Sequence, residues 1–126
     1  MVKRTLAVSV VLACAALPLR AQAPMAAAPA PDVTVTGQVI DLNCFSTHGA
    51  QGAGHKECAV ACAKAGVPLA ILGSDGTVYL PVSGKPGDPQ NAKLLDHAEG
   101  KVTVTGATHF DHGLHTIEIK TITAAT

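Results

Sequence analysis

The 126-residue sequence has few aromatic residues, with no tryptophan, one tyrosine and two phenylalanines. Its two arginines, Arg4 and Arg20, lie near the N-terminus, and from residue 22 onward the chain carries six lysines and nine acidic residues, a net charge of −3 with neutral histidines. Proteins that bind single-stranded nucleic acid use stacking aromatic side chains and a basic groove. Because both are lacking, we do not expect nucleic acid as a partner.

The sequence also lacks the short motifs of several enzyme classes, including a phosphate-binding loop, a dinucleotide fingerprint and a haem-attachment Cys-x-x-Cys-His. A hydrolytic enzyme needs a nucleophile, a base and an orienting group. Cys58, His55 and Asp41 offer these residue types, but His55 and Cys58 are only three residues apart, and no residues supply oxyanion donors. We therefore expect a protein that is not an enzyme.

The N-terminus has the pattern of an exported protein. Lys3 and Arg4 precede the apolar residues 6–13, and small residues follow, as in a secretory signal peptide. We predict a signal peptide over residues 1–21 and a periplasmic or secreted location. Association with a membrane is predicted only if Cys14 is the lipidated cysteine of a lipoprotein signal.

Residues 22–31 are rich in alanine and proline, which predicts an extended tether before a single domain over residues 32–124. In that domain, alternating apolar residues and turn signals predict strands, helix-forming runs ended by glycine predict helices, and the Gly-rich residues 45–54 predict a loop. Gly37 indicates a bulge or a tight bend in the first strand. The predicted strands are residues 33–40, 69–72, 77–82, 101–108 and 115–122, and the predicted helices are residues 55–65 and 90–99.

This order of elements is that of a five-stranded Greek-key barrel with an additional helix after the first strand. Through residues 33–40 (VTVTGQVI), 100–106 (GKVTVTG) and 117–122 (IEIKTI), the chain resembles small secreted bacterial OB-fold domains. The resemblance implies a mainly β, OB-like five-stranded barrel with a Cys-bearing helix inserted after strand 1 and a short helix before strand 4. An open β sandwich is the alternative.

Three cysteines and one histidine form the first candidate site. His55, Cys58 and Cys62 are spaced i, i+3 and i+7 on one predicted helix, which places them on one stripe of its surface. Cys58 falls in the first turn, where free backbone N–H groups favour a thiolate. Together with Cys44, these residues form a ligand set that suits Zn(II) or Cu(I), with His48 in reserve.

A disulfide is the alternative use of the same cysteines, because small exported domains often gain stability from one. Cys44 bridged to Cys58 or to Cys62 would leave one thiol unpaired. The sequence therefore leaves two functions open. One is an exported domain that binds copper or zinc, and the other is a disulfide-stapled, non-catalytic interaction or envelope-stress domain that binds an unknown envelope protein and no metal.

His109, His112 and His115 form a secondary candidate metal site with His-x2-His-x2-His spacing. Pairing Val104 with Ile119 in a hairpin places His109 and His115 on opposite faces of the sheet, because side chains alternate along a strand. His112 falls in the predicted turn. The three imidazoles therefore converge only if a bulge changes the register.

Overall fold

The computed structural model describes residues 29–126. The predicted signal peptide, Cys14 and residues 22–28 of the predicted tether lie outside the described residues. The described part of the chain is mainly β with five strands, which confirms that part of the fold prediction. Among residues 29–126, no helix is both long enough and apolar enough to cross a membrane.

Five strands and three short α-helices make up the fold. The strands are β1 (Asp32–Asp41), β2 (Leu69–Gly73), β3 (Val78–Val82), β4 (Lys101–Asp111) and β5 (Leu114–Ala124). The α-helices are α1 (Leu42–His48), α2 (Lys56–Lys64) and α3 (Asn91–Leu94), with 3-10 turns at Ala53–His55 and Leu95–His97. Two helices therefore follow the first strand, where the sequence predicted one.

Helix α1 replaces the first part of the loop that was predicted over residues 45–54. The Asp41 side chain caps its N-terminus by accepting a hydrogen bond from the Cys44 N–H at 2.9 Å. Gly49 ends the helix in the left-handed conformation, with φ of 65°. Because these two caps define a helix, Cys44 lies in the first turn of a helix and not at the end of a strand.

The strands pair in the order β1-β2-β3-β5-β4, and β4 pairs back with β1. Residues 32–38 of β1 pair with β4, and residues 37–41 pair with β2. All pairs are antiparallel except β3 with β5. Every strand contributes to the core or packs against it, and α3 adds Leu94. The fully buried core side chains include Val39, Ile71, Leu94, Val102 and Ile117.

The hairpin of β4 and β5 has a different register from the predicted one. Val104 pairs with Ile122, and a register shift follows between Thr105 and Gly106. The turn consists of His112 and Gly113, whose φ values of 51° and 82° fit a two-residue type I′ turn. The predicted pairing was wrong by two residues near the turn, where Gly106 and not Val104 pairs with Ile119, because alternation with a period of two looks the same after a two-residue shift.

Glycine is required where two backbones approach closely. A Cβ atom at Gly106 would overlap the carbonyl oxygen of Glu118 on β5, and a Cβ atom at Gly37 would overlap that of Leu72 on β2. The pairing of β1 continues without a shift through Gly37. The predicted bulge at Gly37 is therefore wrong, and Gly37 instead allows β2 to approach β1.

We expect Gly106→Ala to destabilise the protein by about 1–3 kcal/mol, because the added methyl group has to displace backbone. Gly54→Ala is the matched control, since nothing lies within 4 Å of a Cβ atom there. We expect this control to change the free energy of unfolding by no more than roughly 0.5 kcal/mol. Urea denaturation of the metal-free variants measures both values. Equal stability of the two variants would contradict the close approach of the β4 and β5 backbones at Gly106.

Candidate metal centre

The candidate site lies where β1 ends and helices α1 and α2 begin. Asp41 is the last residue of β1, and Cys44 lies in the first turn of α1. His55 ends the 3-10 turn that leads into α2, and Cys58 and Cys62 lie one turn apart on α2. A strand end and two helices therefore bring three thiols, one imidazole and one carboxylate to the same place.

The potential ligand atoms form two groups that share Cys44. Cys44, His55 and Cys58 form one group, and Asp41, Cys44 and Cys62 form the other, with the ligand atoms in each group within 4.8 Å of one another. All four residues of the predicted ligand set belong to these groups, and Asp41 joins them. The donor types and their proximity are suitable for holding a metal ion.

The two groups differ in their exposure to solvent. Asp41 is fully buried, whereas Cys44, His55 and Cys62 are half-buried and Cys58 is exposed. We call Asp41, Cys44 and Cys62 the inner group, and Cys44, His55 and Cys58 the outer group. The inner group therefore includes a buried carboxylate, and the outer group includes an exposed thiol.

All three described cysteines are free thiols. No disulfide joins Cys44 to Cys58 or Cys62 in the described part of the chain. The bridge that the sequence left open as an alternative is therefore not formed in this structure.

Asp41 has one engaged and one unengaged carboxylate oxygen. Oδ1 accepts the hydrogen bond from the Cys44 N–H. Oδ2 is buried and has no hydrogen-bond partner among residues 29–126. Buried carboxylate oxygens are normally paired, because removing them from water without compensation is unfavourable. Oδ2 therefore remains able to accept a proton or a cation.

The surroundings of two thiols favour their protonated forms. The Asp41 carboxylate, as a hydrogen-bond acceptor for the thiol proton, is the main cause that raises the pKa of Cys62 to about 12, and burial adds to the effect. Burial is the main cause that raises the pKa of Cys44, and the charge of Asp41 adds to it. Metal binding at these sulfurs therefore has to release protons.

Glu99 is a residue of the site that the sequence analysis missed. Its side chain is completely buried, and its backbone has a positive φ of 59°, which is unusual for a residue with a Cβ atom. Oε2 accepts hydrogen bonds from Gln38 Nε2 at 3.0 Å and from the Gly52 N–H at 2.7 Å. The carboxylate thus connects β1 with the loop that leads to His55.

The second oxygen of Glu99 orients the imidazole of His55. His55 Nδ1 lies 2.9 Å from Glu99 Oε1. When Nδ1 donates its proton to this carboxylate, Nε2 is the ring nitrogen that remains for a metal ion. Histidines that bind metals are commonly held by a carboxylate in this way. The contact between His55 and Glu99 could not be predicted because the two residues are far apart along the chain. Glu99 lies at the end of a short predicted helix.

The other candidate histidines lie outside both groups. His48 is exposed at the end of α1. His109 and His115 lie on opposite faces of the hairpin, as predicted, because Phe110 pairs with His115 and His109 pairs with Thr116. The His109 ring lies 3.8 Å from Glu118, and the ring of His115 contacts Phe110 and Tyr79. His112 lies in the turn beside Asp111 and is almost fully exposed.

Comparison of the chain with protein-family models, with curated proteins and with solved structures found no match.

We expect the Cys62 thiol of the reduced, metal-free protein to react slowly with iodoacetamide. At about pH 8, alkylation should be at least roughly tenfold slower in the folded protein than in the urea-unfolded chain, because an ordinary thiol has a pKa near 8.5. Asp41→Asn should accelerate the reaction, since it removes the main cause of the raised pKa. Peptide mass spectrometry follows each cysteine, and the exposed Cys58 is the internal reference. Equal alkylation rates of Cys62 in the folded and unfolded chains would contradict the raised pKa of this thiol.

Proposed function

We propose that this protein is an exported, periplasmic domain that binds a soft or borderline metal ion, Cu(I) or Zn(II), through Cys44, His55, Cys58 and Cys62. The observation that carries the proposal is the convergence of free thiols with an imidazole held by a buried carboxylate. Thiolate and imidazole are the ligands that both ions accept. The export signal predicted over residues 1–21 supports the location.

The orientation of His55 supports ligation more strongly than proximity alone. A histidine ligand binds best when its other ring nitrogen is fixed, because the ring then does not have to be ordered when the metal binds. Glu99 provides this fixation from inside the protein, where its carboxylate is fully buried. A histidine with a purely structural role would not need a neighbouring pair of thiols.

The strand order supports an OB-like fold for this domain. A five-stranded Greek-key barrel of this kind joins β1 to both β2 and β4, and places a helix between β3 and β4. The observed order β1-β2-β3-β5-β4, the parallel pairing of β3 with β5 and the position of α3 agree with that arrangement. We therefore propose an OB-like barrel that carries the two Cys-bearing helices as an insertion after β1.

We also propose that the domain is not an enzyme. Two clefts with volumes of about 600 and 470 Å³ are lined by residues from the β3–α3 region and the end of α2, and neither is lined by Cys58 or His55. A substrate bound in either cleft would therefore not contact Cys58. The disulfide-stapled interaction domain remains a different class of function, and the free thiols give it no support.

Intact mass spectrometry of the protein, purified from the periplasm without reductant or chelator, tests the proposal. Under native conditions we expect a bound metal ion, which leaves on denaturation and exposes three thiols to alkylation. Cys44→Ser should lose the metal while the fold is retained, because Cys44 belongs to both groups of ligand atoms. His112→Ala is the control and should bind as the unmodified protein does. A metal-free protein with one alkylatable thiol would support the disulfide alternative instead.

Glu99→Gln should weaken Zn(II) binding by roughly 10–100-fold, the usual effect of losing a group that orients a ligand. Glu118→Gln is the matched control, because Glu118 also lies beside a histidine but outside the site. Competition with a chromophoric chelator measures both affinities, and the urea midpoint of the metal-free variants monitors the fold.

A double-mutant comparison shows whether Glu99 acts through the imidazole. In a His55→Ala background, Glu99→Gln should cause little further loss of affinity, because the group that it orients is absent. Independent, additive losses would mean that Glu99 supports the fold of the site rather than the ligand.

A further inference from the structure

We propose that the site holds two metal ions at neighbouring positions, with Cys44 as the shared ligand and Asp41 as an additional one. The inner position consists of Asp41, Cys44 and Cys62, and the outer position consists of Cys44, His55 and Cys58. This inference rests on the proposed metal-binding function and extends it, because it adds a ligand, a second position and a choice of metal.

The grouping of the ligand atoms is the first observation. Cys44 lies within 4.8 Å of both the outer donors and the inner donors, so its sulfur stands between the two sets. A thiolate sulfur has several lone pairs and can bind two metal ions at once. Each position then has three protein ligands and an open fourth coordination position for water or an external donor. Structural zinc sites, in contrast, have four protein ligands.

The buried oxygen Oδ2 of Asp41 is the second observation. It has no hydrogen-bond partner among the described residues, whereas Oδ1 accepts the hydrogen bond that caps α1. None of the ion pairs within residues 29–126 includes Asp41. A metal ion in the inner position supplies the missing partner, because carboxylate oxygen is an ordinary ligand of Zn(II).

The charge of the donor set is compatible with two divalent ions. When bound as thiolates, Cys44, Cys58 and Cys62 carry three negative charges, and the Asp41 carboxylate carries a fourth. Two Zn(II) ions neutralise these four anionic donors, while His55 binds as a neutral ligand.

The same donor set narrows the choice of metal to Zn(II). Cu(I) is a soft ion that selects thiolate and thioether sulfur, whereas carboxylates suit harder or borderline ions. The outer position alone would accept either ion. The inner position contains a carboxylate in place of an imidazole, and therefore favours Zn(II).

Native mass spectrometry of the reduced mature protein, titrated with zinc chloride, tests the inference. We expect two zinc ions per chain at saturation. Asp41→Asn should hold one, because asparagine still caps α1 but is a weak zinc ligand. Cys62→Ser should also hold one, which tests the inner position without altering the cap. Cys58→Ser should likewise hold one, in the inner position, and Cys44→Ser should no longer form the two-ion species.

The control is the double substitution His109→Ala with His112→Ala, which removes surface imidazoles that bind zinc adventitiously. This variant should still hold two ions, and loss of the second ion here would place it on the hairpin and overturn the inference. One ion per unmodified chain would overturn the second position but leave the proposed function intact. No bound zinc at all would overturn the inference, and the absence of both bound zinc and bound Cu(I) would overturn the proposed function as well.

Cadmium provides a second readout that does not depend on counting masses. Protein loaded with ¹¹³Cd(II) should give two NMR resonances, since the two positions differ in having an oxygen or a nitrogen beside their sulfurs. Asp41→Asn should remove or shift mainly one of them. A single resonance that is insensitive to Asp41→Asn would overturn the role of Asp41 as a ligand.

Discussion

The buried carboxylate of Glu99 joins parts of the site that are distant along the chain. It accepts hydrogen bonds from Gln38 on β1 and from the backbone of Gly52, and it holds the imidazole of His55. A buried carboxylate is tolerated only when its oxygens are satisfied, so these partners and Glu99 stabilise one another. The orientation of His55 is therefore a consequence of how the loop after α1 closes onto Glu99, two residues before β4.

Asp41 connects the fold with the chemistry in a different way. One oxygen caps α1 and so helps to determine where Cys44 lies, while the other is buried without a hydrogen-bond partner among the described residues. The same carboxylate raises the pKa of Cys62. A single residue at the end of β1 thus contributes both to the position of one sulfur and to the raised pKa of another.

Most parts of this structure that depend on local sequence were predictable, with helix α1 as the exception, and the non-local parts were not. Helical spacing correctly placed Cys58 and Cys62 on one helix, and alternation correctly indicated five strands. The contact between Glu99 and His55 depends on the closure of a loop, which no local pattern encodes. The predicted hairpin register was also wrong, because alternation does not distinguish registers that differ by two residues, and the shift at Gly106 depends on the backbone of the neighbouring strand.

The thiol and imidazole donors all lie within residues 41–62, and only the group that orients His55 comes from farther along the chain. An unfolded chain therefore already carries every donor atom at short separation, although without their fixed geometry. A ligand stabilises a folded protein only by the difference between its affinities for the folded and unfolded states. Binding of an ion by the unfolded segment would reduce that difference. In the proposed metal site, Glu99 would therefore be the residue that makes the folded state bind the ion more tightly than the unfolded chain does.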